Sequence, residues 1–552
     1  MSRKPRSKAQ KAAEVNGARK PGTQAWAWIL LAATVIFIAA VRIRLLQTPL
    51  ERDEGEFGYM GQLILQGIPP YKIACNMKLP GTYLMYALFL KVFGNTAAGV
   101  HLGLMVMNLI STVLVFILAR RMLGPLAAVV ASASFGLLSV SPSVLGTSAH
   151  ATHYVLPFAL GGILLMLRAA DSGKPGMLVL SGLLLGTSFL MKQHAVFFLV
   201  FALLYYLWTQ IRKMPAGRLA IHAGVFSLAM ATPYLLTCIA LYKLGVFDKF
   251  WFWTFTYAKL YTTRSTWAKA VSNFIWVMPR VLGHSASLWT LGGIGLTAVV
   301  WSRKARINGA FLVGFLVFSF LTVCPGMYFR QHYFITLLPA LAMLIGAAVS
   351  SGTEVLRRPG LWRAIPVILF ALIVGHSVFL ERYFLFRATP TEASFITYES
   401  KVFVATEEIG RYIQAHTTSK DKIVVFGSEP EICFYSRRRS GTSFIYTYPL
   451  MEQNKYASVM QANMMREIKA SQPRYVVIAH LASSWAIAKG SDLTIFTQGI
   501  RYLGEHYELV GIAQFVSKSS VVYFWDEETR SYSPTDTYLM ILRKRLDGET
   551  DQ

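Results

Sequence analysis

Four carboxylates fall within six residues, Glu51-Arg52-Asp53-Glu54-Gly55-Glu56, directly after the first long apolar stretch of the chain. Residues 1–383 hold only nine acidic side chains against 35 Lys and Arg, so this hexapeptide carries four of the nine. Carboxylates beside a membrane are costly unless hydrated or paired, and such a cluster reads as a functional site. The alternative is a solvated loop start after a helix. Asp53, a few residues beyond the apolar stretch, is placed to act as a general base toward an acceptor hydroxyl. Glu54 and Glu56 could orient it or bind the acceptor, and their like charge would raise one pKa of the group. Arg52 would act in the opposite sense, and Glu51 reads as simply solvated.

Those acids must be held by a membrane architecture. Charged residues are 15% of the 552, where a soluble globular chain carries about a quarter. Apolar runs of a length that crosses a bilayer recur along the first 385 positions. With the basic N-terminal tail placed inside, they thread as about eleven helices, near 25–45, 98–119, 125–145, 153–168, 176–191, 194–209, 219–242, 284–301, 309–325, 332–350 and 362–381. The first is read as an uncleaved anchor rather than a signal peptide. The whole formal charge of +26 sits in residues 1–383, because residues 384–552 balance 19 basic against 19 acidic side chains.

This divides the chain into a basic tail 1–24, a membrane domain 25–383 with long external loops 46–97 and 243–283, and a C-terminal domain 384–552. The fold class expected is an α-helical polytopic membrane protein with a C-terminal soluble α/β domain. Helical patterns at 402–416 and 457–471 alternate there with strand patterns at 422–427, 474–478 and 521–525. An odd helix count puts that domain on the same side as the long loops, outside. Phe247 to Tyr257 reads as an aromatic belt at the headgroups. Cys75 and Cys433 would share a compartment, with a disulfide between them one option.

The outer face is also basic, which the inside rule does not predict and which suits an anionic ligand such as a lipid phosphate. Snorkelling toward headgroups is the duller explanation for some of these cations, Lys78 and Lys192 among them. Arg330, His332 and Tyr333 precede Leu337-Leu338-Pro339, where they could equally cap a helix. His150 and His153 sit three apart at a helix start and are readily explained as hydrogen-bonded polar residues. No metal-ligand spacing is present, so neither metal nor cofactor is expected.

Arg52-Asp53-Glu54-Gly55-Glu56-Phe57-Gly58-Tyr59, followed by Gly67, Pro70-Tyr71 and Met77-Lys78-Leu79-Pro80-Gly81, resembles the first external loop of C-type membrane glycosyltransferases. The likeness is to the branch of the protein O-mannosyltransferases and the lipid A aminoarabinose transferases. The resemblance implies a catalytic acid at Asp53 assisted by Glu54, and donor-phosphate contacts from Lys78, Arg330 and Lys259. It implies substrate contacts from Tyr59, Tyr71, Tyr257, His332, Tyr333, His150 and His153. The family's Lys-Pro-Pro-like element is interrupted here by Leu79. A second acid, common between the family's third and fourth helices, is replaced by His150 and His153. The sharp motifs are confined to about 52–81.

The resemblance further implies transfer of a sugar from a polyprenyl-phosphate donor to a lipid, glycan or protein acceptor on the outer face of a bacterial plasma membrane, with inversion. No nucleic-acid partner is expected. The alternative class is a transporter or flippase for an anionic glycolipid. The sequence shows neither an inverted repeat of broken helices nor an acid at mid-membrane depth to support it.

Overall fold

The computed structural model describes residues 24–263, 266–356 and 361–545. The basic tail, apart from its last residue, lies outside the described residues, as do Arg264, Arg357 and Arg358. Each expected membrane segment is a helix: Ala25–Arg44, Ala97–Leu123, Pro125–Val140, Ala151–Ser172, Pro175–Met191, Val196–Gln210, Ala216–Lys243, Ala286–Trp301, Gly309–Leu321, Leu338–Val355 and Ile365–Leu380. Six are long and apolar enough to cross a membrane, the last of them counted from Trp362, and Pro125–Val140, Pro175–Met191 and Gly309–Leu321 are shorter apolar helices beside them. Leu338–Val355 is the most enclosed of the six, so its apolar surface meets protein rather than lipid.

The first long loop folds into two helices, Arg52–Leu65 and Pro80–Phe93. Pro80 opens the second at a position where its missing N–H costs nothing. The first starts within the acidic cluster, for a local reason. Glu51 accepts from the Glu54 backbone N–H while the Glu54 side chain accepts from the Glu51 N–H, a reciprocal cap. Acids in a first turn also face the positive end of the helix dipole.

The C-terminal domain is a mixed six-stranded sheet in the order β2-β1-β3-β6-β4-β5. β1 (Lys422–Phe426) runs parallel to β2 (Arg439–Ser440) and to β3 (Tyr475–His480), with Ile423 beside Tyr475. β4 (Tyr507–Ser517), β5 (Ser520–Trp525) and β6 (Tyr538–Lys544) complete the sheet antiparallel. Helices Val402–Ala415 and Ala457–Ser471 stand where the sequence places them. β4, β6 and helix Thr494–His506 are elements the sequence reading omits.

This domain sits directly on the first-loop helix. Gly55, Gly58 and Gly61 recur every third residue and give Arg52–Leu65 a bare flank. A Cβ on Gly55 would lie 2.5 Å from Glu431 Cα, and one on Gly58 would lie 2.7 Å from the Phe434 ring. Helix Glu431–Ser436 therefore lies against backbone. The Leu50 N–H donates to Tyr435 Oη at 2.8 Å, and Gln62 Nε2 donates to the Phe434 carbonyl at 3.0 Å. The Ser440 N–H donates to Tyr59 Oη at 2.7 Å, and the Cys75 N–H to the Ser443 carbonyl at 3.1 Å.

Two expectations change. Cys75 and Cys433 are both free, not bridged. The aromatic run 247–257 is not purely a lipid belt: Trp253 and Tyr257 are buried, and Trp253 and Phe252 pack on Phe444 and Tyr456 of the C-terminal domain.

Candidate active site

The cavity that holds the acidic cluster's one outward carboxylate measures about 1170 Å³. Its walls come from the start of helix Arg52–Leu65, residues 77–79, the start of helix Ala151–Ser172, the turn 191–196, the loop 254–262, the segment 325–333, and the C-terminal domain. A larger cleft of about 2020 Å³ lies wholly on the C-terminal domain. Its ionic groups include satisfied pairs, Arg543 with Glu508 and His480 with the Asp536 carbonyl, and it shows no comparable convergence of charge.

Asp53 faces the larger membrane-side wall. Its Oδ2 lies 3.3 Å from Lys78 Nζ and 3.8 Å from His150 Nδ1, and its Oδ1 lies 3.3 Å from Tyr446 Oη. Burial alone would push the carboxyl pKa up. Lys78, with Arg330 and Lys192 beyond it, outweighs that and holds it well below the usual carboxylate range. Lys78 is fixed from behind: Tyr71 donates its hydroxyl to the Lys78 carbonyl at 2.7 Å, and Gln193 Nε2 donates to the Met77 carbonyl at 3.0 Å. Burial disfavours the Lys78 ammonium, but Asp53 and Glu56 raise its pKa above the ordinary lysine value.

Lys192, left undecided by the sequence, lines the same cavity with its Nζ 3.8 Å over the Tyr333 ring. Burial, with Lys78 and Arg330 nearby, pushes its pKa well below the ordinary value. Arg330 and Lys259 are exposed on the cavity side, so the four expected or candidate cations Lys78, Lys192, Lys259 and Arg330 share one space. His150 and His332 stack with ring centroids 3.9 Å apart. Burial lowers His150 to about 4, so its contact with Asp53 is imidazole to carboxylate. Neither ring nitrogen of His150 has a hydrogen-bond partner. Asp53, His150 and His332 offer ligand atoms within 4.8 Å of one another, and among the described residues they are the group that could hold a metal ion. Two imidazoles and a carboxylate suit a divalent transition metal, although Lys78 already neutralises the carboxylate.

Several expected residues lie elsewhere. Glu54 is no assistant to Asp53: its carboxylate is buried, capping the helix and accepting from the Ala149 N–H beside His101 at 3.0 Å. Glu51 is buried in the same cap, not solvated. Glu56 bonds Tyr83 Oη at 2.6 Å and Asn76 Nδ2 at 2.7 Å, and burial pushes it up to about 7. Tyr59 is sealed against Ser440, and Tyr71 supports Lys78 from below rather than meeting a substrate. Tyr257 is buried with its hydroxyl on Glu452, and His153 is buried within helix Ala151–Ser172, off the cavity wall. His150, His332, Tyr333, Lys78, Arg330 and Lys259 do line the cavity.

The sequence reading missed the opposite wall, formed by Tyr446, Tyr448, Met451, Glu452, Gln453, Ser483, Ala486 and Ala488. It carries no Lys, Arg or His. Tyr448 packs near Tyr261, which stacks on Tyr328 with centroids 4.9 Å apart.

The fold is similar to that of two solved membrane proteins, and part of the chain matches a family model. Residues 78–236 match the family model described as dolichyl-phosphate-mannose-protein mannosyltransferase. The solved structure of ArnT from Cupriavidus metallidurans bound to undecaprenyl phosphate superposes with a TM-score of 0.53 at 14% identity, over 91% of this chain and 98% of that one. The archaeal oligosaccharyltransferase AglB from Archaeoglobus fulgidus, in complex with an inhibitory peptide and a dolichol-phosphate, gives 0.53 at 11% identity, over 91% of this chain and 74% of that one. No curated protein matches the chain by sequence.

Proposed function

We propose that the chain is a glycosyltransferase that moves a sugar from a polyprenyl-phosphate donor to an acceptor on the extracytoplasmic face, with Asp53 as base. The observation that carries this reading is the outward carboxylate of Asp53 sharing one cavity with the basic side chains of Lys78, Lys192, Lys259 and Arg330. The family match and the lipid phosphates bound by ArnT and AglB support it. The N-terminus then lies in the cytoplasm, and the first loop and C-terminal domain lie outside.

In this reading the donor phosphate lies against Lys78, Lys192, Arg330 and Lys259, and the acceptor approaches from the Asp53 side. The acceptor oxygen bonds to the anomeric carbon as the bond from that carbon to the phosphate oxygen breaks. The electron pair leaves with the phosphate, where the cations stabilise the charge that develops. The acceptor proton passes to Asp53. A depressed pKa makes Asp53 a weak base, but a phosphate needs no acid to leave, so proton transfer can be late. Donor phosphate on Lys78 would also loosen the Lys78–Asp53 pair and raise the basicity of Asp53 at the moment it is needed. A single displacement inverts the anomeric centre. The acceptor remains a lipid, a glycan or a protein.

The test is transfer of radiolabelled sugar from a panel of polyprenyl-phosphate sugars by the purified full chain. Asp53→Asn is expected to lose activity by about 100-fold or more. Full activity in that variant would remove Asp53 from the mechanism.

A further inference from the structure

We propose that Tyr446 is a positioning residue for Asp53, so that the transfer centre is complete only with the C-terminal domain in place. The inference rests on the reading of Asp53 as base. Tyr446 lies in the C-terminal domain, 393 positions from Asp53. Its hydroxyl is 3.1 Å from the Arg52 carbonyl oxygen and 3.3 Å from Asp53 Oδ1. The two acceptors sit on consecutive residues of the first-loop helix, so one phenol sets both the backbone and the carboxylate of the base.

The support behind Tyr446 is unusually complete. The adjacent Thr447 N–H donates to Ser428 Oγ at 2.9 Å. The Ser428 N–H and the Ser484 hydroxyl each donate to Glu429 Oε2 at 2.8 Å. The other oxygen of Glu429 takes Arg52 Nη2 at 2.8 Å, and Arg52 Nη1 donates to the Ser483 carbonyl at 3.2 Å. The phenol and the residue before Asp53 are thus tied to one buried carboxylate. A reacting group held by a chain of locked partners keeps its geometry through the reaction.

The consequence for the carboxylate is a division of labour between its oxygens. Tyr446 occupies Oδ1 from the C-terminal side, while Lys78 and His150 approach Oδ2 from the membrane side. Once donor phosphate draws Lys78 away, Oδ2 is the oxygen left to take the acceptor proton.

The experiment uses the full chain, reading kcat and donor KM, with bound undecaprenyl phosphate and the thermal midpoint as checks of folding. Tyr446→Phe is expected to lower kcat by about 10- to 100-fold, the range for a hydrogen bond to a charged group. Donor KM stays unchanged. In an Asp53→Asn background the same substitution adds no comparable loss, because the carboxylate it positions is gone. Gln62→Leu, which removes a docking hydrogen bond nine residues further along the same helix, serves as the control and keeps kcat near the wild-type value. Wild-type kcat in Tyr446→Phe overturns the proposal, as does an equal loss with and without the Asp53 carboxylate, which assigns Tyr446 to docking alone. If Tyr446→Phe does not fold, a fluorinated tyrosine at 446 keeps the shape and donates more strongly. The kcat then departs from the wild-type value with donor KM unchanged, and an unchanged kcat overturns the proposal. Activity in Asp53→Asn would instead sink the assignment of the base, and the two failures are separable.

Discussion

Within the acidic hexapeptide, side-chain direction separates four chemically similar groups. Successive residues of a helix turn by about 100°, so Asp53 and Phe57, one turn apart, face the cavity while Glu54 and Glu56 face protein. Composition alone marks the cluster, but only the helical phase distinguishes the outward member. With the helix starting at Arg52, Glu54 falls three residues after the cap, the usual position for the reciprocal capping carboxylate. The fate of the tyrosines is a similar matter: Tyr59 and Tyr71 are polar tips turned to backbone partners that sequence does not reveal.

Lys78 offers a sharper test at this scale. Asp53 is held low chiefly by that ammonium against the pull of burial. Activity on the acid side is lost as Asp53 takes a proton, so the wild-type acid limb lies below the ordinary carboxylate range. In Lys78→Ala the burial effect goes unopposed, the carboxyl pKa rises, and the limb moves to higher pH. Binding of undecaprenyl phosphate should weaken by about tenfold or more, the loss of one charge-assisted contact. A pH profile alongside a binding titration measures both.

Among the elements, the helix Arg52–Leu65 is the pivot, because its glycine flank carries the C-terminal domain. The atoms facing Gly55 are the Glu431 backbone and Cβ, which no rotamer change can clear. Gly55→Ala should therefore cost about 1–3 kcal/mol, as overpacking does elsewhere, with a lower thermal midpoint and a larger loss of transfer activity.

Helix Glu431–Ser436 adds a pH dependence. Burial, and then Glu429, push the Glu431 carboxyl up to about 8, with Arg52 opposing. The folded form then holds a proton that the unfolded chain releases near pH 4.5. Its stabilising effect is complete below that value and is lost as pH rises through 8. Glu431→Gln should flatten this decline and raise the midpoint at pH 8 to 9, measured by thermal unfolding across pH.

At the level of the molecule, the membrane architecture was readable because hydropathy and charge placement are long-range averages. The α/β character of the C-terminal domain was readable from its two buried parallel strands, β1 and β3. The antiparallel half went unread in the sequence, and there β4 and β6 are fixed by each other's register. The site was half legible for a related reason. The cations of the membrane wall lie close to recognisable loop motifs, whereas Tyr446, which reaches Asp53 from 393 positions away, and Tyr448, which lines the same cavity, belong to no local pattern.

The asymmetry of the cavity walls has one more consequence. The cations that would hold the donor grip its phosphate, and that group is unchanged when the sugar has gone. On the proposed reaction, the spent carrier is therefore a ligand of the same strength class as the loaded one. Spent carrier would then compete with loaded carrier for the cavity, and the pace of transfer would follow the ratio of loaded to empty carrier in the membrane.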